Sequence, residues 1–213
     1  MSTPPDHLIP SRLAKRAYYD KNTIYRILDE ALYCTVSYAI DNKPFSIPTA
    51  FARYGDKIYI HGSVGSHFIR EIEKGLPVCL TATLIDALVV AKSAFHHSMN
   101  YRSVVIFARP EKIEDITQKT AALEWLTNKM VPGSWHYLRP VKENEVRKTA
   151  VLAFSLAQAS AKVRDMGPVD DDEDMGLPIW SGLIPIETVR RDPMPAAESK
   201  EMALPAHLQV KGG

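Results

Sequence analysis

The chain has 213 residues, of which 46% are hydrophobic and 24% charged, a composition that suits one globular domain with a sizeable core. Its formal net charge of +1 creates no overall field that would draw it to nucleic acid or to an acidic membrane surface. With two cysteines, no disulfide framework and no apolar stretch long enough to span a membrane, a cytoplasmic protein is expected.

The first predicted element is a helix that follows an N-terminal arm over residues 1–21. Asn22 or Thr23 is suited to cap it, because both side chains can accept a hydrogen bond from a free backbone amide. Apolar residues recur at three- and four-residue spacings from Ile24 to Leu32, which places a stripe on one side. We therefore expect an amphipathic helix that packs on the following strands.

Three antiparallel strands are predicted next. Apolar and polar residues alternate from Cys34 to Ile40 and again from Phe45 to Phe51, with a turn signal at 41–44 between them. Tyr54-Gly55-Asp56 marks a second turn before the strand Lys57 to Ile60.

A loop of small residues then leads into a short helix. Ser66 is suited to cap a helix from His67 to about Lys74. Free amides of the loop and the positive end of the helix dipole favour a phosphate. An ordinary connecting helix that binds nothing explains the segment equally well. The loop residues are Gly62, Ser63, Gly65 and Ser66.

Two longer strands, Val78 to Lys92 and Tyr101 to Glu111, are predicted with residues 95–100 as their connection. A helix capped by Thr117 should run to Met130 and pack on the sheet. An antiparallel sheet of this size tends to close as a barrel, which removes exposed edges.

The last part of the chain is predicted as strand, loop and strand. Ala150 to Leu156 and Pro178 to Ile186 have the composition of strands, and Trp180 is expected to pack in the barrel. Lys162 to Pro168 is interpreted as a basic loop, followed by a solvated acidic run at 170–174. Residues 191–213 have the composition of a flexible tail.

The histidines and potential nucleophiles predict little chemistry of their own. Adjacent His96 and His97 would point to opposite faces of a strand, so no metal site is predicted, while a histidine ligand to haem stays open. No serine, cysteine or carboxylate stands in a recognisable nucleophile or acid-base arrangement, and no catalytic residue is named. This absence is typical of proteins in which a cofactor carries the chemistry.

The motifs taken in order resemble the pyridoxamine 5′-phosphate oxidase-like flavoproteins, the FMN-binding split-barrel family, and in particular its nitroimidazole-resistance-protein-like branch. The resemblance covers roughly residues 12–186. The segments that carry it are Pro44-Phe45-Ser46-Ile47-Pro48-Thr49, Tyr59-Ile60-His61-Gly62-Ser63 with Gly65-Ser66-His67, Ser98-Met99-Asn100-Tyr101-Arg102-Ser103-Val104-Val105, and Trp180-Ser181-Gly182.

The resemblance implies a mainly β fold with flanking helices, a six-stranded antiparallel split barrel over residues 22–190. It also implies a homodimer with FMN in grooves at the subunit interface and a small-molecule substrate. The predicted cofactor-binding residues include the positions implied by the family and two cationic candidates from the predicted basic loop. They are Ile47, Pro48, Thr49, Ala50, His61, Gly62, Ser63, Ser66, His67, Asn100, Tyr101, Arg102, Ser103, Lys162 and Arg164.

One departure from the family affects the phosphate. Where the pyridoxine-pathway oxidases carry an Arg-Lys pair after the loop, this chain has His67-Phe68. His67, backbone amides, Arg102, Lys162 and Arg164 are the candidates to meet the phosphate charge, and a guanidinium matches its geometry best. Vitamin B6 oxidation is not carried over, because its substrate-binding residues are not recognisable here.

Two functions therefore remain open. The first is an FMN-dependent oxidoreductase acting on a small organic molecule, with nitro-compound reduction as one activity and amine or alcohol oxidation as another. The second is a flavin- or haem-binding carrier or sensor without turnover of its own.

Overall fold

The computed structural model describes residues 5, 8, 9 and 13–209. Most of the predicted N-terminal arm and the last four residues of the predicted tail lie outside this part of the chain. The helices of the described part are α1 Lys21–Glu30, α2 His67–Ile72, α3 Ile116–Met130, α4 Ser134–Tyr137 and α5 Glu143–Lys148. The strands are β1 Ala17–Tyr18, β2 Tyr33–Ile40, β3 Lys43–Tyr54, β4 Lys57–Ser63, β5 Val78–Val90, β6 Ser98–Ala108, β7 Glu111–Ile113, β8 Thr149–Ser155, β9 Ala159–Arg164 and β10 Gly182–Pro185.

All pairings in this sheet are antiparallel. The strand order is β1-β9-β6-β5-β2-β3-β4-β8-β7, with β10 paired to β5. The 3-10 turn at 156–158, which joins β8 to β9, contacts β6, so the sheet curls back on itself. The mainly β split-barrel fold is confirmed. The sheet has ten strands rather than six, because short strands extend its edges and β9 continues β8.

One main core fills the curled sheet. The inward residues of β2, β4, β5, β6, β8 and β9 pack there with Ile24, Ile27 and Leu28 of α1 and with Ile69 and Ile72 of α2. A smaller cluster lies on the other side of β8, where Val151 and Ala153 pack under α3. Both faces of β8 are therefore buried.

The turn between β2 and β3 was predicted correctly. Asp41 and Asn42 both have positive φ, at 49° and 61°, as a two-residue hairpin turn requires. The side-chain alternation of both strands then follows from this register, in which Ile40 pairs with Lys43.

The predicted helix caps were wrong by a few residues. Asp20, not Asn22 or Thr23, caps α1 by accepting from the Thr23 amide at 2.8 Å. Asp115, not Thr117, caps α3 by accepting from the Gln118 amide at 2.9 Å. In each case the carboxylate stands one residue before the helix, where it reaches the third amide of the first turn. The α2 helix ends at Ile72, two residues before the predicted end, and Ser66 precedes it without a side-chain cap.

The interpretation of Lys162 to Pro168 as a loop was also wrong at its start. Residues up to Arg164 form β9, which pairs with β6 from Ala159 to Arg164. Its apolar residues Ala159, Ala161 and Val163 pack against the core, while the polar ones alternate with them. Residues 98–100 likewise belong to β6 rather than to the connection before it.

Trp180 does not pack in the barrel. Its side chain is 65% exposed, and the ring lies over Gly182, where an added Cβ would come within 2.8 Å of Trp180 Cζ2. The predicted last strand is correspondingly short, from Gly182 to Pro185.

The segment after β10 runs back across the helices. Arg190 donates to the Met130 carbonyl at 3.0 Å, and the ring of His207 lies 4.9 Å from that of Tyr137. The predicted boundary at 191 and the flexibility of the tail stay predictions. None of the helices among residues 13–209 is both long and apolar enough to cross a membrane.

Candidate functional site

The sheet has an outward face that carries most of its small polar side chains. On β2, buried Cys34, Val36 and Tyr38 alternate with half-buried Thr35 and Ser37. Directly opposed residues of antiparallel strands share a face, so this side continues across the sheet. The further members of the outward face, from β3 to β9, are Ser46, Pro48, Ala50, Cys79, Thr81, Thr83, Tyr101, Ser103, Ser160 and Lys162.

The four predicted residues of β3 divide between the two sides of the sheet. Ile47 and Thr49 lie opposite buried residues of β2, and Ile47 packs against the core. Pro48 and Ala50 point to the outward face. The side chains of Pro48 and Ala50 can therefore contact a ligand there, whereas Ile47 and Thr49 can do so only through their backbone.

The predicted residues of β4 divide in the same way. His61 and Ser63 are exposed and share a side with Tyr59, and desolvation lowers the pKa of His61. Gly62 points inward against α2, where an added Cβ would lie 2.7 Å from Ile69 Cγ1. The glycine at this position thus allows α2 to pack closely on the strand.

The loop before α2 uses its amides internally. Gly65 N donates to Ser63 Oγ at 3.2 Å, and Ser66 N donates to Ser63 O at 2.9 Å. Val64 N donates to a carbonyl at the junction of α5 and β8 at 3.1 Å. The donors left for an anion are the amides of the first turn of α2 and the exposed ring of His67. The loop is a weaker anion site than its composition predicts.

Asn100 and Arg164 meet in the interior, where they are 2% and 6% exposed. The Arg164 guanidinium donates to Asn100 Oδ1 and to the carbonyls of Met166 and Gly167, at 3.0 and 3.3 Å to the latter two. Desolvation lowers the pKa of Arg164, although an arginine keeps its charge. This arrangement fixes the turn after β9 and withdraws Arg164 from the outward face.

Arg102 points to the inward side and is held by two carboxylates. It donates to Asp86 from Nε at 3.0 Å and from Nη2 at 2.7 Å, and to Glu30 from Nη1 at 2.5 Å and from Nη2 at 2.8 Å. The bonds to Glu30 and then Asp86 raise the pKa of Arg102, and the same contact lowers the pKa of Glu30. A phosphate could use Arg102 only by displacing these partners.

Lys162 is a cation of the outward face whose ammonium group has no partner among the described residues. It is half-buried on β9, opposite Ser103 of β6 and Ala17 of β1. Over residues 13–209, neither a carboxylate nor a carbonyl pairs with its ammonium group. Ser103 and the exposed Thr83 lie in register beside it, and Ser103 Oγ donates to the backbone carbonyl of Lys162 at 3.4 Å. Such a set can receive a phosphate or another anion.

The chain does not bring all the predicted residues together. The sheet order places β6, β5, β2 and β3 between β9, which carries Lys162, and β4. Ser63 pairs with Thr149 at the start of β8, whereas Lys162 lies near the end of β9. The Lys162 region and the β4 loop are therefore two separate candidates for the phosphate.

A family model described as pyridoxamine 5′-phosphate oxidase matches residues 20–163, more than half of the chain. The chain belongs to the pyridoxamine 5′-phosphate oxidase-like family. The family predicted from the sequence motifs is thus confirmed.

Solved structures extend this similarity to nearly the whole chain. The flavocytochrome Anf3 from Azotobacter vinelandii is 36% identical, with a TM-score of 0.91 over 98% of this chain and 97% of that one. The FAD and heme binding protein from Mycobacterium smegmatis is 31% identical, with a TM-score of 0.87 over 90% and 95%. A proposed 5-nitroimidazole antibiotic resistance protein from Bacteroides thetaiotaomicron shares the fold at 24% identity and a TM-score of 0.56, over 69% and 86%. The sequence matches none of the curated proteins compared with it.

For this pyridoxamine 5′-phosphate oxidase-like chain, sequence reasoning missed the hydroxyl residues of the central strands. Thr35, Ser37, Thr81 and Thr83 all lie on the outward face, next to predicted members of the site. Their signal was present as small polar residues alternating with apolar ones along two adjacent strands. Within the described part of the chain, no three His, Cys, Asp or Glu side chains converge as a metal site.

Proposed function

We propose that this chain is a homodimeric, FMN-binding oxidoreductase that acts on a small organic molecule. The observation that carries the proposal is the similarity to a flavocytochrome over nearly the full length of both chains, at 36% identity and a TM-score of 0.91. A match of that extent covers the outward face and the segment after β9, in addition to the barrel that the family members share. Nitro-compound reduction and amine or alcohol oxidation are the candidate activities.

The outward face supports this proposal because its chemistry fits a flavin nucleotide. The ring needs a flat surface of small side chains, and the phosphate needs a cation and hydrogen-bond donors. The small side chains of Pro48 and Ala50 leave a flat surface for the ring. The Lys162 ammonium and the Ser103 and Thr83 hydroxyls can bind the phosphate. When bound, the flavin would supply the hydride and electron chemistry, while these residues bind and orient it.

The exposed apolar residues next to the outward face support a homodimer. Ile184 of β10, Leu88 of β5 and Met99 of β6 lie in register on one side of the sheet and are 48%, 42% and 45% exposed. This apolar row continues the outward face at Tyr101. A second copy would bury the row and enclose a flavin lying beside it.

Flavin titration and mass measurement test the proposal together. We expect a dimer by light scattering, saturable FMN binding at micromolar concentration, and bleaching by NAD(P)H that is faster than that of free FMN. A parallel titration with FAD identifies the preferred flavin. A monomeric, colourless protein that binds neither flavin at micromolar concentration contradicts the proposal.

Variants of the apolar row separate assembly from binding. Leu88→Lys should produce a monomer and raise the flavin dissociation constant at least tenfold, about 1.4 kcal/mol. Met194→Lys is the matched control, because Met194 is 93% exposed and lies outside the row. It should change neither the mass nor the affinity.

A flavin- and haem-binding carrier without turnover is the second candidate. Two relatives with more than 30% identity are a flavocytochrome and a FAD and heme binding protein, which favours haem as an additional group. A neutral imidazole is the form that ligates iron. Desolvation by the surrounding protein lowers the pKa of His61, although its side chain reaches solvent. His97 places Nδ1 2.9 Å from the Ser93 carbonyl, which leaves Nε2 as a possible ligand atom.

Haem reconstitution discriminates between the two candidates. A Soret band that appears on addition of haem, with no NAD(P)H-dependent bleaching of the flavin, favours the carrier. The band should disappear in the ligand variant, for which His61→Ala and His97→Ala are compared. Flavin turnover without a Soret band favours the oxidoreductase.

A further inference from the structure

A groove of about 970 Å³ opens beside the β2–β3 hairpin, and it is distinct from the Lys162 region. Its walls come from the hairpin, the start of β5, the end of β6 and the turn after β8. The apolar row lies at the other ends of β5 and β6. Neither Lys162 nor Ser103 lines the groove, and its volume is that of a small-molecule pocket.

Aromatic and proline side chains form one wall of the groove. The rings of Tyr38 and Phe45 stack with centroids 5.2 Å apart and planes 14° apart. Tyr38 is 6% exposed, whereas Phe45 is 38% exposed, so the outer face of the Phe45 ring is the accessible end of the stack. Pro44 and Pro77 line the groove beside it. A flat aromatic ligand can extend this stack by an offset contact with Phe45.

The charge of the groove comes from one residue. Arg109 is the only charged residue in its lining, and it donates to the carbonyl of Gly75. Its guanidinium pairs with no carboxylate in the described ranges of the chain. The hydroxyls of Ser37 and Ser46 also line the groove and lie 3.0 Å apart, on the side of the hairpin opposite to Tyr38 and Phe45.

These features of the groove favour a ligand that carries an anionic group on an apolar ring. A guanidinium with unused N–H donors pairs with a carboxylate in a bidentate geometry, and no acidic side chain competes for it. A cationic ligand would meet Arg109 without any compensating negative charge in the groove. An anion without a ring would leave the apolar walls solvated.

We propose that the groove binds an aromatic carboxylate, with its ring against Phe45 and its carboxylate on Arg109. The inference goes beyond the flavin function and does not rest on it, because Pro48, Ala50, Ser103 and Lys162 lie outside the groove, although Ser37, Ser46 and Cys79 of the outward face line it. The ligand would be a substrate or an effector of this protein.

Equilibrium dialysis of the full chain tests the groove, with and without saturating FMN. The probes are 2-naphthoate and its neutral isostere 2-naphthamide. We expect one 2-naphthoate per chain, bound at least tenfold more tightly than the amide, a difference of about 1.4 kcal/mol. Arg109→Gln should remove this preference, and Phe45→Ala should weaken the binding of both probes at least fivefold.

Two matched controls identify non-specific binding. Arg26→Gln changes an exposed arginine of α1 outside the groove, and Phe95→Ala changes a phenylalanine that is 88% exposed and also outside it. Neither control should alter the dissociation constant of either probe. If Phe45→Ala fails to fold, as judged by circular dichroism, Phe45→Leu replaces it, because leucine keeps the bulk and loses the ring.

Several outcomes would overturn the proposal. These are equal affinity for the acid and the amide, an unchanged preference in Arg109→Gln, or equal weakening by Phe95→Ala. Competition between FMN and 2-naphthoate would assign the groove to the flavin instead. Flavin binding is measured in the same variants, so a chain that binds FMN but no naphthoate fails this inference and keeps the proposed function.

Discussion

Cationic residues on the inward and outward faces of the sheet differ in their hydrogen-bond and ionic partners. Arg102 and Lys162 stand on the neighbouring strands β6 and β9. Arg102 points inward, where Glu30 and Asp86 accept all the hydrogen bonds recorded for its guanidinium. Lys162 points outward beside hydroxyl groups and has no ionic partner over residues 13–209. One position along a strand separates a structural cation from one that can bind a ligand.

The two cysteines differ in the same way. Cys34 on the inward face is 1% exposed, and burial raises the pKa of its thiol to about 12. Cys79 is half-buried on the outward face, opposite Ser37, and lines the groove. Inward groups are desolvated and must be neutral or paired, whereas outward groups are free to meet a ligand. Strand parity therefore separates Cys34 and Arg102 from Cys79 and Lys162, with Arg164 as the exception, because it shares the side of Lys162 on β9 but is buried against Asn100.

Removal of Arg102 should give the largest effect on stability. Arg102→Ala leaves Glu30 and Asp86 close together without their counter-ion, and we expect the free energy of unfolding to fall by about 2 kcal/mol. Urea denaturation measures this loss. Arg26→Ala, at an exposed position of α1 without an ion pair among the described residues, should stay within about 0.5 kcal/mol of the wild type. A similarly small effect of Arg102→Ala would contradict the structural role.

Replacement of Lys162 should instead weaken flavin binding and leave the stability of the chain nearly unchanged. Lys162→Gln should raise the flavin dissociation constant at least tenfold, about 1.4 kcal/mol, because the phosphate loses its cation. The free energy of unfolding should change by less than about 0.5 kcal/mol, since the Lys162 ammonium group has no partner among the residues that the structure describes. Flavin fluorescence titration and urea denaturation measure the two quantities.

Lys43→Gln is the control for the general loss of a positive charge. Lys43 is an exposed lysine at the start of β3 and does not lie in the Lys162 region. Its replacement should leave flavin affinity unchanged. Equal weakening by both lysine variants would mean that net charge, not a specific contact, controls the affinity.

The sequence predicted most of the fold because its signals are local. Alternation and turn residues located β2 to β5 and β8, and apolar spacing located α1 and α3. The strand β9 was missed because six residues, followed closely by Gly167-Pro168, give a short alternation next to a strong loop signal. The exposure of Trp180 depends on its contact with Gly182 and could not be derived from an apolar neighbourhood.

The candidate site was less predictable, because partners distant in the sequence decide it. Arg102 and Glu30 are 72 residues apart, so no local pattern shows that this arginine is already paired. The burial of Arg164 against Asn100 depends in the same way on the register of β6 and β9. Lys162 was named correctly as a cation, yet only the strand pairing shows which face it occupies.

The loop before α2 should have a smaller effect on flavin affinity than Lys162. Replacing Ser66 and His67 together by alanine should raise the dissociation constant by about threefold, roughly 0.6 kcal/mol. The effect is small because the loop amides already donate within the protein and α2 has a single free first turn. Flavin titration of the double variant measures it. An increase of tenfold or more would assign the phosphate to the loop instead of Lys162.

Acid should reduce the difference between wild type and Arg102→Ala. The hydrogen bond from Arg102 lowers the pKa of Glu30 in the folded chain. The stabilisation from this hydrogen bond is therefore fully present above the pKa of Glu30 in the unfolded chain, about 4.3. It is lost as the pH falls through the lower pKa of Glu30 in the folded chain. Because the Glu30 side chain is 53% exposed, we expect this pH-dependent part to be only about 0.5 kcal/mol.

Urea unfolding at several pH values from neutral to acidic measures this change. The difference in free energy of unfolding between the two proteins should be constant near neutral pH and should decrease below about pH 4. The same comparison made in a Glu30→Gln background should lose this decrease, because glutamine does not titrate. A difference that grows in acid would show that the inward ion pair does not depend on the ionised form of Glu30. In that case Asp86 alone would distinguish the paired inward Arg102 from the outward Lys162, which is unpaired in the described part of the chain.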